Sequence, residues 1–572
     1  MTAPSLPTPA GREVSPPVAT RRVVAAALLL SAFFAFWDLD IPLHGSEARW
    51  AVVAREMVSS RDYFSMTIAG RPYLDKPFGS YWLVILASKL TGGMSEWTLR
   101  LPSVVAYILT AYLVYLIGKR TLGAREGALG ALVFVLMFRV AFFSREASAD
   151  PQTMLGIALA LWLTLEASED GRWWHWPLIG ALMASSSLMK GLSGFAVTGF
   201  VALLWCVLVR GFRWLRPVPL AVGVLAFATV LGAPFLIAHG IHGGWGPVRL
   251  LWRESVVRAV RAFDHTEPWY FYLWNQFELL SPWSVLLPSA MILGVQAVRA
   301  RARRRGGYGL RMFDHEEDRR RIFPLFCYLG VLLFFSLSGS KRTYYLMPIA
   351  PFASLVFAQA LLDEAPGWAR RLKRVAVWAL AIGIVLADVA ALALGVLRLA
   401  MSAPPAALSL HGRITPTIWR AVPIWLALAG VGVVLGAVII RRLSHGRQAL
   451  VPLFGAVALA LATSIGVLES MRRLDDSLPR FGKAVQGLVP ADEYVELVGV
   501  WKNPTVVYYI NRAARVDVPA ARFVIVPAPS LDLVLARPRA TYRILCKRYE
   551  NSGSYPGPDA YRENYVLLER TG

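Results

Sequence analysis

The sequence predicts a mainly α-helical, polytopic membrane protein with a small α/β unit at its C-terminal end. Three observations predict it. Of 572 residues, 56% are hydrophobic and only 17% charged, against about 25% charged in an average soluble chain. Apolar runs of bilayer-spanning length recur from residue 22 onward. Beyond about residue 470 they give way to short β-favouring runs separated by Pro, Gly and Asp.

In chain order, residues 1–20 are polar and proline-rich and read as a disordered cytoplasmic N-terminus. Arg21-Arg22 precede the first apolar run, and no small-residue cleavage signature follows it, so the run reads as an uncleaved signal anchor. Thirteen spans are expected, near 22–37, 99–118, 126–144, 150–168, 177–190, 192–210, 217–238, 277–298, 322–338, 345–363, 374–397, 419–440 and 449–468. Together, residues 21–468 make one transmembrane unit. Short connections such as "KRTLGAR" (119–125) and "GFRWLR" (211–216) are basic, which places them and the N-terminus on the cytoplasmic side. Segments 38–98, 239–276, 339–344 and 398–418 then face outward with the tail.

Within 38–98, Trp50, Val53, Ala54, Met57 and Val58 follow helical i, i+3, i+4, i+7, i+8 spacing. The segment therefore reads as an amphipathic helix lying in the membrane interface, and "YWLVILASKL" (81–90), too short to span, as a second. In the tail, 469–572, a helix around 479–488 is expected with strands at "EYVELVGV", "PTVVYYINR", "RFVIVPA", "LDLVLA", "YRILCKRY" and "NYVLLER". That is an outward-facing, periplasmic α/β domain of ordinary size.

The net charge of +23 does not indicate nucleic acid, because Lys and Arg fall in short loops and form no stripe interleaved with stacking aromatics. Segments such as "RARARRRGG" (299–307) suit anionic lipid headgroups instead. Cys206, Cys327 and Cys546 offer neither a disulfide framework nor a Cys/His zinc spacing.

Ionisable groups at membrane depth are costly and mark candidate sites. Ser46-Glu47 reads equally as a serine cap with a first-turn acid, or as a carboxylate at the membrane–water boundary. Asp150-Pro151 makes a good helix start, yet Arg145, Glu146 and Asp150 bring more charge than a cap needs. Lys76 in "LDKP" and Lys190 in "LMKGLSG" suit a phosphate, the second with glycines that admit close backbone approach. Arg258 and His265, and then Lys341, Tyr344 and Tyr345, add cations and aromatics to the outward side. Outward carboxylates beside phosphate-binding cations suggest a lipid-phosphate substrate and a base on the outer face.

These stretches, in order, are familiar. "SEARWAVVAREMVSSRDYFSMTIAGRPYLDKPFGSYWL", "RLPSVVAYIL", "REASADPQTML", "LMKGLSG", "HTEPWYFYL" with "SPW", and "SKRTYYLMPIAP" resemble the dolichyl-phosphate-mannose protein mannosyltransferase superfamily. The likeness is to its bacterial branch, which includes the lipid A aminoarabinose transferase. The resemblance implies a GT-C membrane glycosyltransferase. Such an enzyme moves a sugar from a polyprenyl (undecaprenyl) monophosphate to a lipid, glycan or protein acceptor. It implies Glu47 and Asp150 as catalytic acids and Lys76 at the carrier phosphate. Arg49, Tyr73, Lys190, Arg258, His265, Lys341, Tyr344 and Tyr345 follow as substrate contacts. One position departs: Ser46-Glu47 stands where the lipid A branch carries Asp-Glu, which favours a branch with another acceptor.

The implied mechanism is an inverting displacement, with Asp150 or Glu47 as base, on the periplasmic face of a bacterial inner membrane. No cofactor is implied with certainty, and divalent metal dependence stays open. A lipid-linked sugar transporter and a non-catalytic carrier-lipid-binding relative are the alternatives. Clustering of charge at one interface favours surface chemistry over transport.

Overall fold

A computed structural model describes residues 17–257, 265–304, 315–362, 367–400, 430–442, 450–473, 477–500, 503–516, 518, 521–538, 540–548 and 564–572. Among the described residues, six helices are long and apolar enough to cross a membrane. They are Val18–Phe36, Glu96–Thr121, Ser193–Arg210, Pro217–His242, Glu316–Leu337 and Thr343–Leu362. Two of the thirteen expected spans are broken in the structure, and each break has a local cause.

The 126–144 span is two pieces, Ala124–Val135 and Phe138–Phe143, because Met137 is extended at ψ 109°. The 277–298 span is also broken: Phe271–Leu279 stops before Pro282, and Trp283–Leu286 and then Leu287–Arg304 follow. Proline cannot donate the next helical bond. The two breaks meet, since the Phe138 N–H released by the first donates to the Ser281 carbonyl in the second at 2.9 Å. A chain at membrane depth tolerates non-helical backbone where protein satisfies it in this way. Helix His175–Lys190 is 16 residues long, short for a full span. The expected 419–440 span falls partly outside the described residues.

Small residues set the helix spacing. A Cβ on Gly180 would overlap the Gly223 carbonyl, so His175–Lys190 and Pro217–His242 cross in backbone contact. A Cβ on Gly156 or Gly194 would likewise meet Ser186, which brings Asp150–Asp170 and Ser193–Trp205 against His175–Lys190. At one end of this group, Arg120 grips Glu166 at 2.7 Å and pairs with Glu169, which also takes Arg320 at 2.7 Å. Arg210 bonds Glu316 at 2.9 Å there. Asp150 and Lys190 lie at the other end, as Asp150 begins its helix and Lys190 ends its own.

The tail forms a five-stranded sheet in the order Ala513–Arg515, Tyr494–Leu497, Phe523–Pro527, Tyr565–Arg570, Tyr542–Lys547. The first three strands are parallel and the last two antiparallel to their neighbours. Two segments expected as strands are helices: "PTVVYYI" (Pro504–Ile510) and "LDLVL" (Leu531–Leu535). In the first, Asn503 accepts the Thr505 N–H and Pro504 takes the first helical position. Together these outweigh the β preference of Val and Tyr. Phe523 and Ile525 face the cluster that holds helix Ser477–Leu488 and the buried side of Ala48–Ser60. Val524 and Val526 face Val534 on the opposite side.

Helix Ala48–Ser60 therefore meets protein where an interfacial helix would meet lipid. Trp50, Val53, Ala54 and Met57 are buried as expected, but so are Ala51 and Val52, whereas Val58 is exposed. Its partners are Gly79–Leu90 and Pro504–Ile510. The Gly180→Val substitution should cost about 1–3 kcal/mol through forced overpacking. A lower thermal midpoint of the detergent-solubilised protein would show it.

Candidate functional site

A cavity of ≈ 510 Å³ opens at the Asp150 end of the helices. Lys76, Asp150, Lys190, Glu254 and Tyr345 line its polar part. Ile157, Phe195, Phe200, Phe334, Phe335 and Leu337 line the rest, and they come from three different helices. Phe195 is half-exposed on the outer surface of its helix. The cavity thus joins charge to an apolar trough.

Asp150 pairs with the Lys190 ammonium. The same ammonium sits 4.3 Å from the Tyr345 ring centroid and 5.2 Å from that of Tyr344, within cation–π range. Glycine at 191, with φ +93°, turns the chain directly after Lys190, and Leu192 N donates to Ser255 Oγ at 2.9 Å. Lys76 reaches Asp75 at 3.0 Å, and Asp75 also takes Arg49 at 2.6 Å. The Tyr73 hydroxyl lies beside the Arg49 guanidinium. Burial pushes the Lys76 ammonium below the ordinary lysine range, and Asp75 only partly restores it. Beside Tyr345, Arg342 donates to the Tyr344 hydroxyl at 2.8 Å and bonds the His265 ring.

Most of the expected residues thus converge: Asp150, Lys76, Lys190 and Tyr345 on the cavity wall, with Arg49, Tyr73, Tyr344 and His265 beside it. Arg258 lies outside the described residues. Two do not fit the roles expected of them. Lys341 is not among the cavity-lining residues and donates to the Glu267 and Ser338 carbonyls. That anchors the bridge between Thr266 and Ser340 and commits two of its three N–H donors to backbone.

Glu47 is no cavity residue either. It is 3% exposed. Oε1 accepts Arg100 Nε at 2.8 Å and Ala147 N at 2.9 Å, while Oε2 accepts an Arg100 terminal nitrogen at 2.7 Å and His44 N at 2.9 Å. Burial alone would raise this carboxyl, but the Arg100 guanidinium and the two amides hold it below the usual carboxylate range. A carboxylate so filled has no lone pair facing an acceptor. Ser46 does not cap the helix, which begins at Ala48 with Glu47 at the cap position.

Arg100 went unread in the sequence although it stands in the quoted "RLPSVV". An arginine next to an apolar run is itself the signal that could have found it. Arg145, expected at the site, instead donates to the Phe34 and Trp37 carbonyls at the end of the first helix. Among the described residues, no three His, Cys, Asp or Glu side chains converge as a metal-binding group.

The resemblance expected from the motifs holds. Residues 75–237, the stretch that carries Lys76, Asp150 and Lys190, match the family described as dolichyl-phosphate-mannose-protein mannosyltransferase. The chain is 31% identical over 353 residues to an undecaprenyl phosphate-alpha-4-amino-4-deoxy-L-arabinose arabinosyl transferase of Pseudomonas aeruginosa, covering 59% of this chain and 60% of that one. It is 26% identical over 380 residues to a transferase of the same name from Pseudomonas fluorescens, covering 64% and 62%. The chain thus spans about three fifths of the length of these relatives. The crystal structure of ArnT from Cupriavidus metallidurans bound to undecaprenyl phosphate aligns over 96% of this chain and 97% of its own, with TM-score 0.72 at 17% identity. The fold is shared with it, and the chain is a multi-pass membrane protein.

Removing Arg100 should strand the buried Glu47 charge. Arg100→Leu is expected to cost about 3–5 kcal/mol, read as a depressed unfolding midpoint or loss of monodisperse protein on gel filtration.

Proposed function

We propose that the chain is an integral-membrane glycosyltransferase that takes a sugar from a polyprenyl monophosphate and passes it to a lipid, glycan or protein acceptor. One observation carries this: a single cavity sets Lys76, Lys190 and Asp150 at the end of an apolar trough. A lipid phosphate needs both halves, cations for its head and an apolar path for its tail. Arg49 adds to the cationic half, for its Nε is buried with no hydrogen-bond partner among the described residues. The relatives' names supply the donor class, an undecaprenyl-phosphate-linked aminopentose.

In this reading the acceptor hydroxyl gives its proton to an Asp150 carboxylate oxygen as its own oxygen attacks the anomeric carbon. The bond from that carbon to the phosphate oxygen breaks, and the electron pair leaves on the polyprenyl phosphate. Lys76, Lys190 and Arg49 stabilise the charge that grows there. Lys190 serves both partners: its ammonium neutralises Asp150, and an arriving phosphate competes for it and frees the carboxylate to act. A single displacement of this kind inverts the anomeric centre.

The side of the membrane follows from charge. The Arg120, Arg210 and Arg320 clusters lie at the opposite end of the helices from the cavity. Positive-inside placement puts them in the cytoplasm and the cavity, with the 469–572 domain, on the periplasmic face of the inner membrane. Residues 21–468 then form the catalytic membrane domain.

Transfer from labelled undecaprenyl-phosphate sugars to envelope extract tests the reading. Asp150→Asn should lower the rate by about 10²–10⁴ while undecaprenyl phosphate binds at least as tightly as in wild type, since Lys190 loses its competing carboxylate; near-normal transfer by this variant would sink the assignment. Carrier binding should also weaken as pH rises. The Lys76 ammonium, held below its usual range, loses its proton earlier than a free lysine, and its attraction for phosphate goes with it. Titrating the Kd for undecaprenyl phosphate between about pH 7 and 10 should show that fall. In Lys76→Arg, whose cation persists throughout, the fall should be smaller.

A further inference from the structure

A base must be aimed, and beyond the Lys190 ion pair on its carboxylate Asp150 has little local means of being aimed. Its helix starts without a side-chain cap, and the Asp150 N–H reaches Ser148 Oγ only at 3.4 Å. Its orientation depends on the preceding turn, and that turn is held from outside. Glu47 Oε1 accepts the Ala147 N–H at 2.9 Å, three residues before Asp150.

Glu47 is held in turn. Arg100 clamps both of its oxygens, and the His44 N–H fills the remaining position on Oε2 at 2.9 Å. The neighbouring amide, Leu43 N–H, donates at 2.8 Å to the Tyr509 hydroxyl, 466 residues away in the sequence. Tyr509 sits on helix Pro504–Ile510 of the C-terminal sheet unit. That helix is fixed to helix Ala48–Ser60 by Arg55, which donates to the Val507 and Tyr508 carbonyls at 2.8 and 3.3 Å and to Asn511 Oδ1 at 2.8 Å. An unbroken path of hydrogen bonds and short backbone links runs from the C-terminal unit to the turn that ends at Asp150.

We propose that Glu47 is a positioning residue for the Asp150 base, and that the C-terminal unit holds it in place through the Tyr509–Leu43 bond. The proposal rests on the transferase reading above. It gives the C-terminal unit a task beyond covering the cavity: it braces the loop from which the base is aimed. Lys76 and Lys190 stand outside this path, so it governs turnover rather than capture of the carrier.

The test uses the purified full chain with Glu47→Gln and Tyr509→Phe beside wild type. Kd for undecaprenyl phosphate, kcat and the pH–rate profile would be measured, with hydrogen exchange followed in peptides that cover residues 144–150. Glu47→Gln should lower kcat about 10–100-fold, the scale of a slight misplacement of a reacting group. Carrier Kd should stay within about twofold, the remaining rate should still fall on acidification as wild type does, and exchange in the turn should rise. Tyr509→Phe removes one hydrogen bond and should give the same changes on a smaller scale, which keeps the test open should Glu47→Gln fail to fold.

Loss of the acidic fall in Glu47→Gln would make Glu47 itself the base and overturn the proposal. Wild-type kcat with unchanged exchange, or equal losses in binding and rate, would overturn it too. Wild-type behaviour of Tyr509→Phe would remove the C-terminal unit from the path. Failure of the transferase reading shows elsewhere, as absent transfer by wild type or full activity in Asp150→Asn, and the exchange readout does not depend on turnover.

Discussion

The ion pair between Glu47 and Arg100 organises the outward half of this protein. Both side chains are buried, at 3% and 1% exposure, and stripping water from two charges costs several kcal/mol per ion. What offsets that cost is complete saturation. The guanidinium uses its planar fork on Glu47 and on the Leu39, Ile41 and Pro42 carbonyls, and the carboxylate adds two amides from different segments. Five stretches of chain therefore share one electrostatic node: the loop after the first helix, the start of Ala48–Ser60, helix Glu96–Thr121, the turn before Asp150 and, one bond further, the C-terminal unit. Movement of any one of them would remove a hydrogen bond from this node or from the loop beside it.

The cavity beside this node works on the opposite principle. Its charges are paired, but with partners that a ligand can replace. Lys190 shares Asp150 with two aromatic faces, and Lys76 and Arg49 share one carboxylate, Asp75. Two cations on one carboxylate form ion pairs that an incoming phosphate can take over. The filled node supplies rigidity and the cavity supplies exchangeable ion pairs, and Ala147 lies between them.

The membrane half follows the same division between satisfied backbone and usable charge. Two interrupted helices meet at Phe138 and Ser281 and satisfy each other. The arginine clusters at the far end tie four helices together and mark the basic side. The glycine contact at 156 draws the helices that carry Asp150 and Lys190 close together, and those at 180, 194 and 223 pack two further helices against the one that ends at Lys190.

By itself, the sequence determined the properties that depend on local composition. Apolar runs made the chain a membrane protein, turn residues and β-favouring runs placed most strands of the tail, and the quoted motifs singled out Asp150, Lys76, Lys190 and Tyr345, which the fold brings to one cavity. Where neighbours decide, it was silent or misleading. "PTVVYYI" has strand-like residues but is a helix, because Asn503 and Pro504 supply a start and the sheet buries one face. Lys341 carries the same charge as Lys190 and stands in an equally suggestive motif, yet backbone carbonyls absorb it. Glu47 had the composition of a catalytic acid, and only the folded chain shows its four hydrogen bonds. A carboxylate's chemistry is set by what occupies its lone pairs, and Arg100 and Ala147 reach Glu47 only through tertiary folding, from 53 and 100 residues away.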